Sequence, residues 1–439
     1  MCIGLALLVG SGNTAASFAF ASRILVIAPH PDDETLGAGG MIFTARRRGA
    51  QVKVVFMTMG DGSGAAAGMQ SGTGRPSPDH MIALGRRRHG EAIAALAALG
   101  VAEEDAIFLG YPDGGLADIV DNRHWQPHEP YTSKHTGRAS SPYASSFTPG
   151  AEYCASRIVG DLAMILADYM PDLVLVPHPL DAHSDHWASY ALAMYAIEQL
   201  DYVELTGARV LAYMVHAGAN WPQPWGYRPD LPLDPPQWRG SPQAAWIRAA
   251  LTEDAIAAKL RALEQYKSQL VSLSAFLQSF VRSNELFSLA PVIDLDPPHE
   301  SGPPHGDDVP LARPDPRPFR CLPPSGEIRL VVARRIKDGV AVTATLAWRP
   351  SPSVTCRLRM VSPVPTAASS EPLCEEPRSR VTELIYETTP SSERRRPWEA
   401  AFLIPLHDLE SLGPKTLIEV VTLRRGVVVD RSGWILLRM

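Results

Sequence analysis

Two short strings hold the residue types of a one-metal hydrolase: Pro29-His30-Pro31-Asp32-Asp33-Glu34 and His183-Ser184-Asp185-His186. A catalytic zinc takes three protein ligands from His, Asp, Glu or Cys and leaves one position for water. His30 with Asp33, and His183 with His186, stand three residues apart, which puts the members of each pair on one turn. Five candidates for three ligand places leave Asp32 and one histidine for proton work. A carboxylate near the metal takes a proton from the activated water, and a second histidine faces the developing oxyanion. The chemistry that fits is metal-assisted hydrolysis of an amide or ester. Either string alone reads as well as a helix cap or a structural histidine; together, in this order, they point to a metal site.

Both strings follow apolar runs of strand length, Arg23-Ile24-Leu25-Val26-Ile27-Ala28 and Asp172-Leu173-Val174-Leu175-Val176-Pro177. Continuous apolar residues suit strands covered on both faces, and helical stretches lie between the runs. The expected fold is α/β, a Rossmann-like, mostly parallel sheet with flanking helices, plus a C-terminal all-β sandwich-like module. In such a sheet the carboxyl ends of the strands form the ligand crevice, so residues 150 positions apart meet there. Gly37, Gly39 and Gly40 suggest a dinucleotide loop, but Ile42 stands where the third glycine is needed. Close helix-to-strand packing explains these glycines better.

The pattern resembles the PIG-L/LmbE family of zinc-dependent N-acetylglucosamine-type deacetylases, which carry Ala-His-Pro-Asp-Asp-Glu after the first strand and His-x-Asp-His later. The resemblance implies His30, Asp33 and His186 as zinc ligands, Asp32 as general base and His183 as partner of the tetrahedral intermediate. Pro29 replaces the family's common Ala. Two further stretches extend the match: Arg88-His89-Gly90-Glu91 with Leu99-Gly100-Val101, and Phe108-Leu109-Gly110-Tyr111-Pro112-Asp113-Gly114. They imply Arg88 and Asp113 as substrate contacts, although Arg86-Arg87-Arg88 also reads as a solvated helix face. With Tyr266-Lys267-Ser268-Gln269, the likeness runs from residue 23 to about 290. It implies Zn2+, with Fe2+ or Mn2+ as other divalent ions, and a small-molecule or glycan substrate bearing an N-acetyl amino sugar. The rivals are an amidase acting on a thiol-sugar conjugate or a non-sugar amide, and a glycan-binding protein with a vestigial site whose affinity resides in the β module.

Other polar residues have competing readings. Asp61 in Gly60-Asp61-Gly62 fits a turn. Asp181 and Asp185 either orient ligand imidazoles or cap the following helix. His124, His128 and His135 fall in the irregular stretch from Ile119 to Gly150, where loop histidines face solvent and the loop itself suits a lid or rim.

The chain has 439 residues, 45% hydrophobic, and a formal charge of -6 with scattered basic residues, which gives no nucleic-acid footprint. Five cysteines without a Cys-x-x-Cys pair argue against a disulfide framework and a second zinc site. Residues 1–22 form a signal-like or disordered segment that lacks a basic start, so cytoplasmic and exported locations stand level. No segment reads as a membrane span, and oligomeric state is not encoded legibly. The deacetylase-like domain is assigned to 23–296, a Pro-rich linker to 297–324 and a β-rich module to 325–439. Ala244 to Asn284 has helical periodicity. Trp348, Trp398 and Trp434 are expected in the core rather than on a glycan-binding face.

Overall fold

The computed structural model describes residues 21–121, 127–218, 221–236, 246–290, 292–294, 328–336, 338–346, 350–362, 382–390, 398–412, 415–425 and 427–438. His124, Trp348, residues 1–20 and the linker 297–324 lie outside the described residues.

The first half alternates strands and helices: β1 (Arg23–Ala28), α1 (Asp33–Arg47), β2 (Gln51–Thr58), α2 (Gly64–Ser71), α3 (Pro78–Ala98), β3 (Ala106–Tyr111), α4 (Leu116–Asp121), α5 (Ala155–Tyr169), β4 (Leu173–Pro177), α6 (Ser184–Gln199), α7 (Tyr202–Thr206) and β5 (Arg209–Tyr213). There follow β6 (Trp246–Ala250), α8 (Glu253–Leu263), α9 (Lys267–Gln278), β7 (Asn284–Leu289) and β8 (Val292–Asp294). The remainder holds β9 (Ile328–Ile336), β10 (Gly339–Leu346), β11 (Val354–Ser362), β12 (Thr382–Thr388), β13 (Trp398–Pro405), α10 (Leu406–Leu412), β14 (Lys415–Arg424), β15 (Val427–Arg431) and β16 (Ile435–Arg438).

The main sheet has seven strands in the order β3-β2-β1-β4-β5-β7-β6. Pairings from β3 to β5 are parallel, and β7 and β6 join antiparallel. Strand order reverses between β1 and β4, the switch point at which an open α/β sheet leaves its crevice. Trp246–Ala250, inside the stretch of helical periodicity, is a strand: its residues pair with Asn284–Ser288 as the sheet's edge, so pairing overrides a local pattern that α8 and α9 then follow. Apolar layers cover both faces, with α4 to α7 on one and α1, α3, α8 and α9 on the other.

The glycines of α1 serve packing. A Cβ on Gly37 would lie 2.2 Å from the Tyr213 ring, and one on Gly40 2.5 Å from Leu251. A buried ion pair, Lys259–Glu285 at 2.7 Å, joins α8 and β7 to the same turn: Lys259 donates to the Leu36 carbonyl, and the Gly40 and Met41 amides donate to Glu285.

The C-terminal module consists of a three-stranded sheet, β13-β10-β9, facing a six-stranded one, β12-β11-β14-β16-β8 with β15 on β14, and one short helix, α10. Trp398 is buried in it, and Trp434 is buried against helix α6. Strand β8 pairs in parallel with β16, so the chain enters this sheet before the linker begins.

Candidate metal centre

Four parallel strands end at one place. His30 follows β1, Asp113 follows β3, the His183–His186 string follows β4, and His216 stands three residues beyond β5. His30, Asp113, His183 and His216 line a cleft of about 300 Å³ together with Asp32, Asp33 and Arg88, opposite Gln269, Leu273 and Phe276 of α9, while His186 is fully buried next to Asp33.

Asp33 stands between two histidines, and His30, His183 and His186 bring ligating atoms within 4.8 Å of one another. Asp33 Oδ2 lies 3.0 Å from His30 Nδ1 and 3.1 Å from His186 Nε2. The other nitrogen of each ring is held by a different buried carboxylate: His30 Nε2 faces Asp185 at 3.1 Å and His186 Nδ1 faces Asp181 at 3.1 Å. A carboxylate behind each imidazole fixes its tautomer and leaves the inward nitrogen with its lone pair free, the arrangement found around metal-binding histidines. His186 Nε2 is fully buried and makes no hydrogen bond. An orphaned lone pair beside a carboxylate oxygen is costly unless a cation sits there, so these residues fit a divalent metal. Protonation points the same way. Burial opposes charge on His186, but Asp181 and Asp33 outweigh it and push its pKa up to about 10. Burial likewise opposes charge on His30, and Asp113, Asp185 and Asp33 raise it nonetheless. The cluster draws positive charge.

The carboxylates behind the rings are themselves fixed. Asp185 accepts the Gly114 and Leu116 amides at 2.6 and 3.2 Å, and Asp181 accepts those of Val215 and His216 at 3.0 and 2.9 Å. Of the two sequence readings for this pair, orienting the imidazoles is the one observed; His183, not Asp185, caps α6. His183 Nδ1 accepts the Asp185 amide at 3.2 Å, which puts any proton of the neutral ring on Nε2. Burial and the neighbouring His30 and His186 lower its pKa, so the neutral donor form prevails.

Asp32 occupies a strained position, with φ of 136°. Such backbone in a non-glycine residue costs about 1–3 kcal/mol and persists only when neighbours hold it. Glu34 accepts the Asp32 amide at 3.1 Å. Arg88 donates to the carbonyls of Pro31 and Gly60 at 2.6 and 2.9 Å, and to Asp32 Oδ2 at 3.2 Å. Arg88 is thus no solvated face residue; it is buried and braces the Asp32 turn. Burial pushes the Asp32 carboxyl up to about 8 against the pull of Arg88. Glu34, bonded by Thr35 and Tyr266, is pushed by burial up to about 7.

Asp113 faces His30 Nε2 at 3.3 Å and accepts the Gly62 amide at 2.6 Å. Asp61 sits in its turn but also lies buried beneath the cleft, accepting the Tyr143 hydroxyl at 2.5 Å. Tyr143 anchors the 127–153 segment there. None of the described residues of that segment lines the cleft; they pack under β3, with the Phe147 amide donating to the Phe108 carbonyl at 2.7 Å. Within the segment, His128 is exposed and His135 half-buried.

His216 is the residue that sequence reading missed. Its ligating atoms lie within 4.8 Å of those of Asp33 and His186, and its ring stacks on Phe276 at 5.5 Å. Burial lowers its pKa to about 3. It follows strand β5 as the other site residues follow theirs, but no motif marks it.

Residues 25–197 match the family model described as PIG-L, GlcNAc-PI de-N-acetylase. A 1D-myo-inositol 2-acetamido-2-deoxy-alpha-D-glucopyranoside deacetylase from Mycobacterium sp. (strain KMS) is 35% identical over 179 residues, 40% of this chain and 50% of the relative. The Streptomyces griseus enzyme of the same name is 29% identical over 182 residues, 40% of this chain and 49% of its own. The chain therefore spans about half the length of the curated relatives it matches. Among solved structures, the N,N'-diacetylchitobiose deacetylase from Pyrococcus horikoshii aligns with a TM-score of 0.39 at 22% identity, covering 62% of this chain and 85% of that one. Over residues 25–197 the chain carries a PIG-L family domain.

Proposed function

We propose that this protein is a zinc-dependent hydrolase that removes acetyl from an N-acetylated amino sugar or its conjugate, with His30, Asp33 and His186 as metal ligands. The observation that carries the reading is Asp33 Oδ2 seated between His30 Nδ1 and His186 Nε2, each imidazole backed by its own carboxylate. The names of the curated relatives favour an amino-sugar amide.

His30, Asp33 and His186 would hold a divalent cation, which would supply a lowered water pKa and polarisation of an acyl oxygen. Asp32 accepts the proton of the attacking water and delivers it to the departing amine. It lines the cleft next to Asp33, the place for a group that must both take and give a proton there. His183, protonated on Nε2 and lining the cleft, donates to the oxyanion. Asp113 offers a carboxylate to sugar hydroxyls at the cleft wall. Arg88 acts at the substrate end through the Asp32 turn it braces. A cleft of about 300 Å³ matches one sugar-sized group.

The test uses the full chain, stripped with a chelator and reloaded with Zn2+, Fe2+ or Mn2+. It is offered N-acetylglucosaminyl-inositol, free N-acetylglucosamine and an N-acetyl amino acid while acetate and free amine are measured. Metal-dependent release from the amino sugars is expected. Turnover confined to the amino acid transfers the assignment to the non-sugar amidase, and no turnover in any loaded form refutes hydrolysis.

A further inference from the structure

We propose that the C-terminal β module is a positioning part of the metal centre, holding from behind the loops that carry His183 and His216 and the helix α6 that carries His186. The inference rests on the reading of His30, Asp33 and His186 as the cation site and goes beyond it.

Three residues of those loops belong to the module's own core. Leu180, three positions before His183, and Met214 and Ala217, on either side of His216, share one apolar cluster with Ile328, Met360, Trp398, Ile418 and Ile435. The turn between β15 and β16 presses on the same loop. A Cβ on Gly433 would lie 2.8 Å from the Pro179 carbonyl oxygen and 3.0 Å from Leu180 Cδ2, so only glycine lets the two backbones approach this closely.

Helix α6 is gripped along its length. The Arg431 guanidinium stands 4.4 Å over the ring of Trp187, the residue after His186, while pairing with Asp121 of α4 and Glu419 of β14. Trp434, 1% exposed, packs in one cluster with Trp187, Leu192 and Tyr195. The Tyr195 hydroxyl donates to the Ser362 carbonyl at 3.0 Å, and Lys415 bridges Glu198 and Asp201 at 3.3 and 2.8 Å. A helix transmits such constraints as a rod. The place of His186 Nε2 relative to Asp33 is therefore set partly by side chains more than 200 residues away. Among the module's described residues, the exposed large apolar side chains are Ile336, Ile385, Leu403, Leu406 and Val428, all aliphatic.

The test compares full-length Leu180→Ala and Trp434→Phe with Phe402→Leu. Phe402 belongs to the same core but lies on β13, beside α10 and β12. Each variant is loaded with Co2+ for its visible spectrum, titrated with Zn2+ against a chelating dye, and melted. Leu180→Ala and Trp434→Phe should weaken Zn2+ binding tenfold or more and shift the Co2+ bands, whereas Phe402→Leu should lower only the melting temperature; Leu180→Met should restore both metal readouts. If all three variants keep the wild-type spectrum and affinity, the positioning role is refuted while the metal reading stands. A wild-type chain that takes up no stoichiometric ion overturns both.

Discussion

Asp61→Asn tests how burial acts on the acidic floor of the cleft. Asp61 is 2% exposed, one of its carboxylate oxygens has no partner, and its pKa is pushed from 3.8 to about 7 by burial first and Asp113 second. Between those two values the folded protein keeps a proton that the unfolded chain has released. Stability therefore falls as pH rises from about 4 to 7, and the full cost is present above 7. At about 1.4 kcal/mol per pH unit, the interval corresponds to roughly 4 kcal/mol. Asparagine keeps the acceptor for the Tyr143 hydroxyl and cannot ionise. Denaturant melts of both proteins from pH 4 to pH 8 should give similar midpoints at the acid end and a widening gap toward pH 8, with Asp61→Asn the more stable. Parallel curves across this range would show that Asp61 ionises freely in the fold and that its burial carries no electrostatic cost.

Asp32→Asn should retain stoichiometric zinc, read by elemental analysis, while deacetylation falls by about 10²–10⁴; unchanged turnover removes Asp32 as the base. His186→Ala should lose stoichiometric zinc, and its retention at wild-type affinity would show that the ligand set is wrong. Glu285→Ala strands the Lys259 ammonium in the core and should cost about 3–5 kcal/mol in urea melts, against near-neutral effects if water reaches it.

The strands that carry the site were legible because each is a continuous apolar run with a polar string after it. His30, Asp32, Asp33, Asp113 and His183 line the cleft, with His186 buried against Asp33, because parallel topology brings those ends together. His216 has no motif around it, and a lone histidine after a strand carries no signal until the strand order is known. The role of Arg88 also depends on distance: its partners, Gly60, Pro31 and Asp32, are 28 to 57 residues away. Strand β6 was hidden because it pairs at an edge with a segment beyond two helices. The docking of the β module on α6 had a trace in the sequence. From Trp187 to Ile197 the helix has no charged residue, and all of it is buried. A helix apolar all round must be covered on every side, and one sheet covers only half of it.

The parallel pairing of β8 with β16 has a bearing on biosynthesis. These strands are about 140 residues apart, so a ribosome will have released the whole α/β layer long before its second cover exists. Until then the side of α6 that carries Trp187 and Tyr195 lacks its partners Trp434 and Ser362, and closing a contact of such high order is slow. Nascent chains of this protein should depend on chaperones that shield apolar helices, and interrupted translation should yield aggregates rather than a soluble N-terminal half.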